Sequence, residues 1–420
     1  MTTPATARPA AAGRTDAAGR SDAAGWPLGR PPAGFVLGHV RAVLSGRILD
    51  DARIVVRSGI IEAVEPHPPG GSSDVDGRGA MCLPGLIDVH GDAVGRELRP
   101  RPGASVPVGF ALAAAEGRVR AAGITTAFQG VAFQERSAVG LPIGSPPAEE
   151  VADAIETAGS PAMRILHRVD VRCAVGAAAL EARVAAAGDR VLVVSHEDHT
   201  PGQGQYADPA TMRRWMVEGE GMSPSAAVAH VEWWRDSRDE LSETGRRTLE
   251  RLGELARAGR IRLFGHDPAT RQDIDDLVDR GGAVAEFPTT REAAAHARRR
   301  GLMIVAGAPN AMRGGSHAGN VSAGELISAG LVDALASDYL PDAQLGAVMR
   351  LVATGACTVP AAVRLVTSGP AAAVGLRDRG ALCPGLRADL VLADLAGAWP
   401  RVLATLPAFV VENGAAESAS

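Results

Sequence analysis

Between residues 34 and 79 the apolar positions fall in short runs set apart by Gly and Asp turns: Phe35-Val36-Leu37, Ala42-Val43-Leu44, Ile54-Val55-Val56 and Ile60-Ile61. Runs of this length between turn residues predict β-strands rather than helices. The same texture returns at Leu390-Val391-Leu392-Ala393 and across 407–411. Two β-rich ends around a long middle predict one small β domain, built from residues 34–82 plus 381–415.

The middle, residues 83–380, alternates apolar runs with helical stretches, the mark of successive βα units. The runs lie at 86–90, 124–129, 164–173, 190–195, 260–265, 283–287, 303–307 and 334–337. Eight such units close a parallel barrel. The expected fold is therefore α/β: a metal-dependent-hydrolase type (β/α)8 barrel with a small β-sandwich domain formed by both termini. Helices are expected at 177–187 and 242–258. The stretch 208–238 reads as an extra helical insertion and carries Trp215, Trp233 and Trp234. A lid, an oligomer contact and plain helix packing are all open readings of it.

Composition narrows the picture. Hydrophobic residues make up 46% of the 420 positions and aromatics only 3%, so a large core must be built from Ala, Val, Leu and Ile. A net charge of −5 gives no bulk attraction to nucleic acid or to an anionic membrane. No apolar run approaches the ~18 residues of a membrane span. Residues 1–33, rich in Ala, Gly, Pro and Arg, read as a disordered tail; a transit peptide is the weaker reading, against which Asp16 and Asp22 stand. Cys82, Cys173, Cys357 and Cys383 are scattered, which suits core thiols in a reducing cytoplasm. The chain has no lysine, so all 43 basic residues are arginines. That excludes a Schiff-base lysine, a Walker lysine and a carboxylated lysine bridging two metals.

In a parallel barrel the reacting groups sit at the C-terminal ends of the strands. Here those ends read His90-Gly-Asp92, Ser195-His-Glu-Asp-His199, Gly265-His-Asp267 and Ser337-Asp338. Strand alternation puts residues two apart on one face, so His90 and Asp92 can reach one ion. Imidazole with carboxylate suits Zn²⁺ or Mn²⁺, which lowers the pKa of bound water to about 7. A lone histidine is more often a satisfied polar group, the reading given to His39, His67, His230 and His296. Four strand ends with such groups is another matter, and the candidate ligands are His90, Asp92, His199, His266 and Asp338. His196 shares a strand end with His199; one of them can pack while the other lines the site, and His199 is preferred. After the seventh run, Gly314, Gly315, Ser316 and His317 make a Gly-rich loop beside Asn310 and Arg313, a composition that lets backbone N–H groups and a guanidinium approach a phosphate. Arg96, Arg99 and Arg101 follow the first ligands. The expected ligand is a small phosphorylated molecule.

Pro84-Gly-Leu-Ile-Asp-Val-His90, Gly123-Ile-Thr-Thr126, Ser337-Asp338 and Gly385-Leu-Arg-Ala-Asp-Leu390 resemble the amidohydrolase superfamily. Arg99-Pro-Arg-Pro102, Asp198-His-Thr-Pro-Gly-Gln203, Gly265-His-Asp267, Ala285-Glu-Phe-Pro-Thr-Thr290, Gly307-Ala-Pro-Asn310, Arg313-Gly-Gly-Ser-His317 and Ser337-Asp-Tyr339 resemble, in order along nearly the whole chain, the PhnM-type enzymes of bacterial phosphonate breakdown. The resemblance implies hydrolysis of a ribose 5-triphosphate ester of methylphosphonate to the 5-phosphate and pyrophosphate, on a divalent metal. Arg99, Arg101, Gln203, Asn310 and Arg313 to His317 are the candidate substrate contacts, and Asp338 is expected to take the proton of the attacking water.

Departures from that pattern bear on the metal count. The resemblance implies a bridging Glu where this chain has Ala174, and an Asp where it has Gln129. With no lysine either, one ion is preferred over two. The superfamily also implies ligand histidines on the fifth and sixth strands, whereas straight counting puts His199 on the fourth and His266 on the fifth. Two other functions stay open: an amidohydrolase acting on a non-peptide C–N bond, and a non-catalytic homologue that binds a sugar phosphate. The expected setting is cytoplasmic, without nucleic acid or membrane as partner, and it allows a homodimer.

Overall fold

The computed structural model describes residues 31–409 apart from Pro102, Ser145, Pro161 and His317. The expected tail lies almost wholly outside the described residues, as do 410–415 and the site candidate His317. Among the described residues no helix is long and apolar enough to cross a membrane.

The N-terminal runs form β1 (Phe35–Val43), β2 (Ile48–Arg57), β3 (Ile60–Pro66), the short β4 (Val75–Asp76) and β5 (Met81–Pro84). They pair with two C-terminal strands, β14 (Leu390–Asp394) and β15 (Arg401–Leu406), in one sheet of order β15-β14-β5-β1-β2-β3, with β4 on β1. Its buried face is aliphatic, with Leu37, Val40, Ile54, Ile61, Cys82 and Leu390 fully or almost fully enclosed. The last strand is Arg401–Leu406, ahead of the 407–411 run expected to be β. Pro407 follows it, and a proline has no N–H for the ladder.

The middle of the chain forms the parallel sheet. Its strands are β6 (Leu86–Gly91), β7 (Ile124–Phe133), β8 (Met163–Asp170), β9 (Leu192–Glu197), β10 (Ile261–His266), β11 (Val284–Glu286), β12 (Met303–Gly307) and β13 (Ala334–Ala336), paired consecutively in chain order. Each of the eight expected runs holds one strand. β14 (Leu390–Asp394) and β15 (Arg401–Leu406) then return to the terminal sheet. Ile87, Val89, Phe128, Leu166, Val193, Phe264, Val284 and Val305 pack together inside the parallel sheet. This filling of branched side chains makes the barrel a solid core, with chemistry left to its rim.

Polar groups lace β13 to β6 and close the barrel. Asp338 N donates to His90 O at 2.8 Å, and Asp92 N to Asp338 O at 2.8 Å. The buried Asp88 carboxylate accepts from Ser337 N at 2.9 Å and from its hydroxyl at 2.5 Å. Gln344 donates to both Ile87 O (3.0 Å) and Leu335 O (2.9 Å). The seam matters for function because His90, Asp92 and Asp338 all hang from it.

The insertion folds as two helices, Pro209–Glu218 and Pro224–Glu240. They share a small core of Met212, Met216, Val231, Trp234 and Tyr206 with Val139 from the β7–β8 connection.

Replacing Asp88 by Ala strands two buried Ser337 donors, at roughly 1–3 kcal/mol each. Urea denaturation of D88A is expected to show that loss; a midpoint equal to the parent's would mean that the seam does not depend on this carboxylate.

Candidate active site

At the C-terminal mouth of the barrel lies a cleft of about 860 Å³. His90, Asp92, Arg168, His199, His266, Asp267 and Asp338 line its floor. All five expected ligands therefore reach one cavity. His199 follows the fourth barrel strand and His266 ends the fifth, so the straight count of strands holds and the placement implied by the superfamily, on the fifth and sixth, does not apply to this chain.

The sixth strand contributes Glu286. It is fully buried, and one oxygen accepts from His90 Nδ1 at 2.9 Å while the other accepts from His266 Nδ1 at 2.8 Å and from the Ser195 hydroxyl at 2.6 Å. With each Nδ1 fixed in this way, Nε2 is the nitrogen left to serve the cleft. Burial alone would raise the Glu286 carboxyl, but the two imidazoles outweigh it and hold it well below the usual carboxylate range.

Three non-glycine residues at the ends of the fifth, sixth and eighth barrel strands adopt left-handed backbone: Asp267 (φ 53°), Phe287 (φ 53°) and Asp338 (φ 54°). Such conformations cost on the order of 1–3 kcal/mol and persist where the surroundings over-determine them. Here each backbone N–H is tied to a neighbouring strand: Asp267 to Glu286 O, Phe287 to Val305 O and Asp338 to His90 O, all at 2.8 Å. The kinks end the strands and turn the chain at the rim.

His266 Nε2 lies 3.4 Å and His199 Nε2 3.8 Å from Asp267 Oδ2. Both Asp267 Oδ2 and Glu197 Oε2 are buried without a hydrogen-bond partner. Five carboxylates (Asp92, Glu197, Asp267, Glu286 and Asp338) share the floor with one arginine, Arg168. Orphaned buried oxygens, converging imidazoles and surplus negative charge together fit a divalent cation. Protonation states say the same. Burial pushes His199 down to about 4, leaving a neutral imidazole. Burial works against a proton on His266, but Asp267, Glu197 and Glu286 outweigh it and push that group up to about 10. A cation at this point would displace the proton. Burial pushes Asp267 and Asp338 up to about 6, helped for Asp338 by the nearby Asp92.

His199 stands in a braced loop. Its neighbours Asp198 and Thr200 are both held by Arg238, through Nη2 to Asp198 Oδ1 at 2.7 Å and Nε to Thr200 Oγ1 at 3.0 Å. Arg238 is almost fully buried, also pairs with Asp170, and comes from the second helix of the insertion. His196 does not line the cleft; its ring is pushed down to about 4 by burial and packs toward Gly265.

The substrate candidates divide. Arg313, Asn310 and Ser316 line the cleft, joined by Arg96 and by Arg214, Trp215 and Glu218 of the insertion. Asn310 is committed to bracing its own loop, accepting from Ala323 N at 2.9 Å and donating to Val321 O at 3.2 Å. Gly314, Gly315 and Gln203 are off the cleft lining; Gln203 donates to Asp198 O at 3.1 Å. Arg99 and Arg101 line a separate groove that shares only Arg96 with the cleft, because the helix Ala93–Leu98 carries the chain outward after Asp92. Ala174 is the first residue of the helix Ala174–Ala186, beyond the end of β8, and does not line the cleft. Its identity therefore has no bearing on the metal count. Gln129 is buried and accepts from Val94 N at 3.1 Å.

Arg168, Glu197, Asp267 and Glu286 were not singled out from the sequence. A signal for three of them existed: a charged residue inside an otherwise apolar strand, as in Leu166-His-Arg168-Val, Val194-Ser-His-Glu197 and Val284-Ala-Glu286, is costly to bury without a task.

No family model matches the chain. It is 34% identical over 363 residues to the alpha-D-ribose 1-methylphosphonate 5-triphosphate diphosphatase of Escherichia coli strain K12, spanning 85% of this chain and 94% of that one. Among solved structures, an amidohydrolase matches at TM-score 0.55 and 14% identity over 91% of this chain and 100% of its own. A zinc-bound adenosine deaminase from Xanthomonas campestris matches at TM-score 0.50 and 17% identity, over 86% and 85%. The solved structures share the fold, a barrel with a sheet drawn from both ends, and the sequence match over most of both chains places this protein in the family of the Escherichia coli diphosphatase.

Proposed function

We propose that the protein hydrolyses alpha-D-ribose 1-methylphosphonate 5-triphosphate to the 5-phosphate and pyrophosphate, in phosphonate catabolism. The observation that carries this reading is the pairing of a carboxylate–imidazole floor with a rim bearing Arg96, Arg214 and Arg313 around one cleft. A triphosphate needs cations along its length and a hydrolytic centre at one end. The kinship with the diphosphatase supports the same substrate. Hydrolysis of a neutral C–N bond gives no reason for three arginines at the rim.

His199, His266 and Asp267 would hold a divalent ion, Zn²⁺ or Mn²⁺, with His90, Asp92 and Asp338 across the floor. When bound, such an ion supplies Lewis acidity and makes water a better nucleophile near neutral pH. Asp338 accepts the proton of the attacking water. The anhydride bond between the first and second phosphates breaks, and pyrophosphate leaves against the rim arginines. Glu286 keeps the two imidazoles turned to the cleft. The cytoplasm is the compartment proposed, in keeping with four free cysteines.

The direct test is incubation of the metal-loaded protein with this substrate. Equal release of pyrophosphate and the 5-phosphate is expected; no release with Zn²⁺ or Mn²⁺ supplied overturns the assignment. Asp338→Asn is expected to lower kcat by roughly 10²–10⁴-fold while metal content stays at the parent level; near-normal turnover removes Asp338 as the base. Asp338 works as the carboxylate, so activity should rise as pH rises through its pKa. The group sits at about 6 without an ion. A cation beside it favours the charged form, so the acid limb of kcat/KM belongs at or below about pH 6. A limb rising only above pH 7 would contradict the role. Glu286→Gln cannot accept from both imidazoles, and metal affinity measured against a competing chelator should fall roughly 10–100-fold. Parent-level affinity in E286Q would mean that Glu286 does not set the imidazoles.

A further inference from the structure

We propose that Arg168 occupies the place of a second metal ion and so limits this cleft to one. The inference rests on the metal centre proposed above. Arg168 stands on the third barrel strand, Met163–Asp170, with a side chain only 18% exposed. Its Nη1 donates to Asp92 Oδ1 at 2.9 Å, and its Nε donates to Glu197. Those two carboxylates come from the ends of the first and fourth barrel strands. Asp92 Oδ1 is also 3.9 Å from His90 Nε2. The other Glu197 oxygen is 3.9 Å from His199 Nδ1. The guanidinium thus spans the gap between the donors of the first strand and those of the fourth.

Without it, Asp92 and Glu197 would lose the cation they share, with His90 Nε2 3.9 Å from Asp92 Oδ1. One imidazole and two carboxylates is a common ligand group for a divalent ion. Two mostly buried carboxylates need a cation in any case, since an uncompensated charge in such a place is costly. Arginine meets that need permanently. It keeps its charge at any working pH, and its planar fork can bind two carboxylates at once.

A second observation shows that the place is shaped for the guanidinium. Gly130, on the second barrel strand, lies against this pair. A Cβ there would sit 2.8 Å from Arg168 Cδ and 2.9 Å from Asp92 Oδ1. The missing side chain at 130 is the room in which the Arg168–Asp92 contact is made. The chain also has no lysine that could carry a bridging carboxylate. Arg168 is a positioning residue here: it fixes Asp92 and Glu197 and sets how many ions the floor accepts.

The test is a count of ions per chain. The full-length protein is stripped with a chelator, titrated with Zn²⁺ and with Mn²⁺ by calorimetry, and checked by elemental analysis. The parent is expected to bind one ion. Arg168→Ala frees Asp92 and Glu197 and is expected to bind two, while Arg168→Lys, which restores a cation, stays at one. Should the Ala variant fail to fold, Arg168→Gln removes the charge at similar length and serves as the neutral variant. Two tightly bound ions in the parent overturn the proposal, as does a single ion with unchanged affinity in the neutral variants. A parent that binds no ion overturns the metal centre and this proposal with it. One ion bound without pyrophosphate release overturns only the substrate assignment.

Discussion

One buried carboxylate organises this molecule's chemistry. Glu286 ties imidazoles from the first and fifth barrel strands to the sixth, with no solvent to share the task. A carboxylate so enclosed is tolerable only because three donors satisfy it. In return it fixes which nitrogen each histidine presents. Around that choice lie the other groups of the floor: Asp267 beside Nε2 of His266, Asp338 on the seam, Arg168 across the gap.

The barrel makes such an arrangement rigid. Strands pack through aliphatic side chains inside, while their ends are stitched by backbone hydrogen bonds that also hold three left-handed residues in place. The insertion serves two parts of the site. Its first helix forms a wall of the cleft through Arg214 and Trp215, and its second supplies Arg238, which clamps both neighbours of His199. The two helices pack on a shared core, so the substrate-facing wall and the ligand loop belong to one body. The sequence leaves lid, oligomer contact and simple packing open for this stretch; the structure shows it packed on a core of its own and lining the cleft.

The architecture was legible because strand runs buried on both faces are nearly continuous in Val, Ile, Leu and Ala, and all eight stand out between helical stretches. Strand ends pointed to His90, Asp92, His199, His266 and Asp338 because a barrel leaves its chemistry there. What stayed hidden were partners that matter only in three dimensions. Glu286 looked like one more residue of a motif, since nothing local says that two imidazoles meet on it. Arg168 was not singled out from the sequence, since its carboxylates lie 76 and 29 positions away along the chain. Register misled in the other direction. The family resemblance implies a ligand where Ala174 stands, but the chain leaves the strand at Asp170 and position 174 opens a helix. Arg99 and Arg101 were near Asp92 in sequence only, because a short helix carries them into a neighbouring groove.

Glu286 holds the Nδ1 atoms of His90 and His266, which leaves Nε2 to serve the cleft, and Arg168 stands between Asp92 and Glu197. Anomalous diffraction from crystals of the metal-loaded protein tests this most directly. One peak is expected, on the order of 2 Å from the Nε2 atoms of His199 and His266 and bound by Asp267, with Glu286 still on both Nδ1 atoms and Arg168 between Asp92 and Glu197. A peak bound through Nδ1 of His266, or a second peak where the Arg168 guanidinium stands, would contradict it.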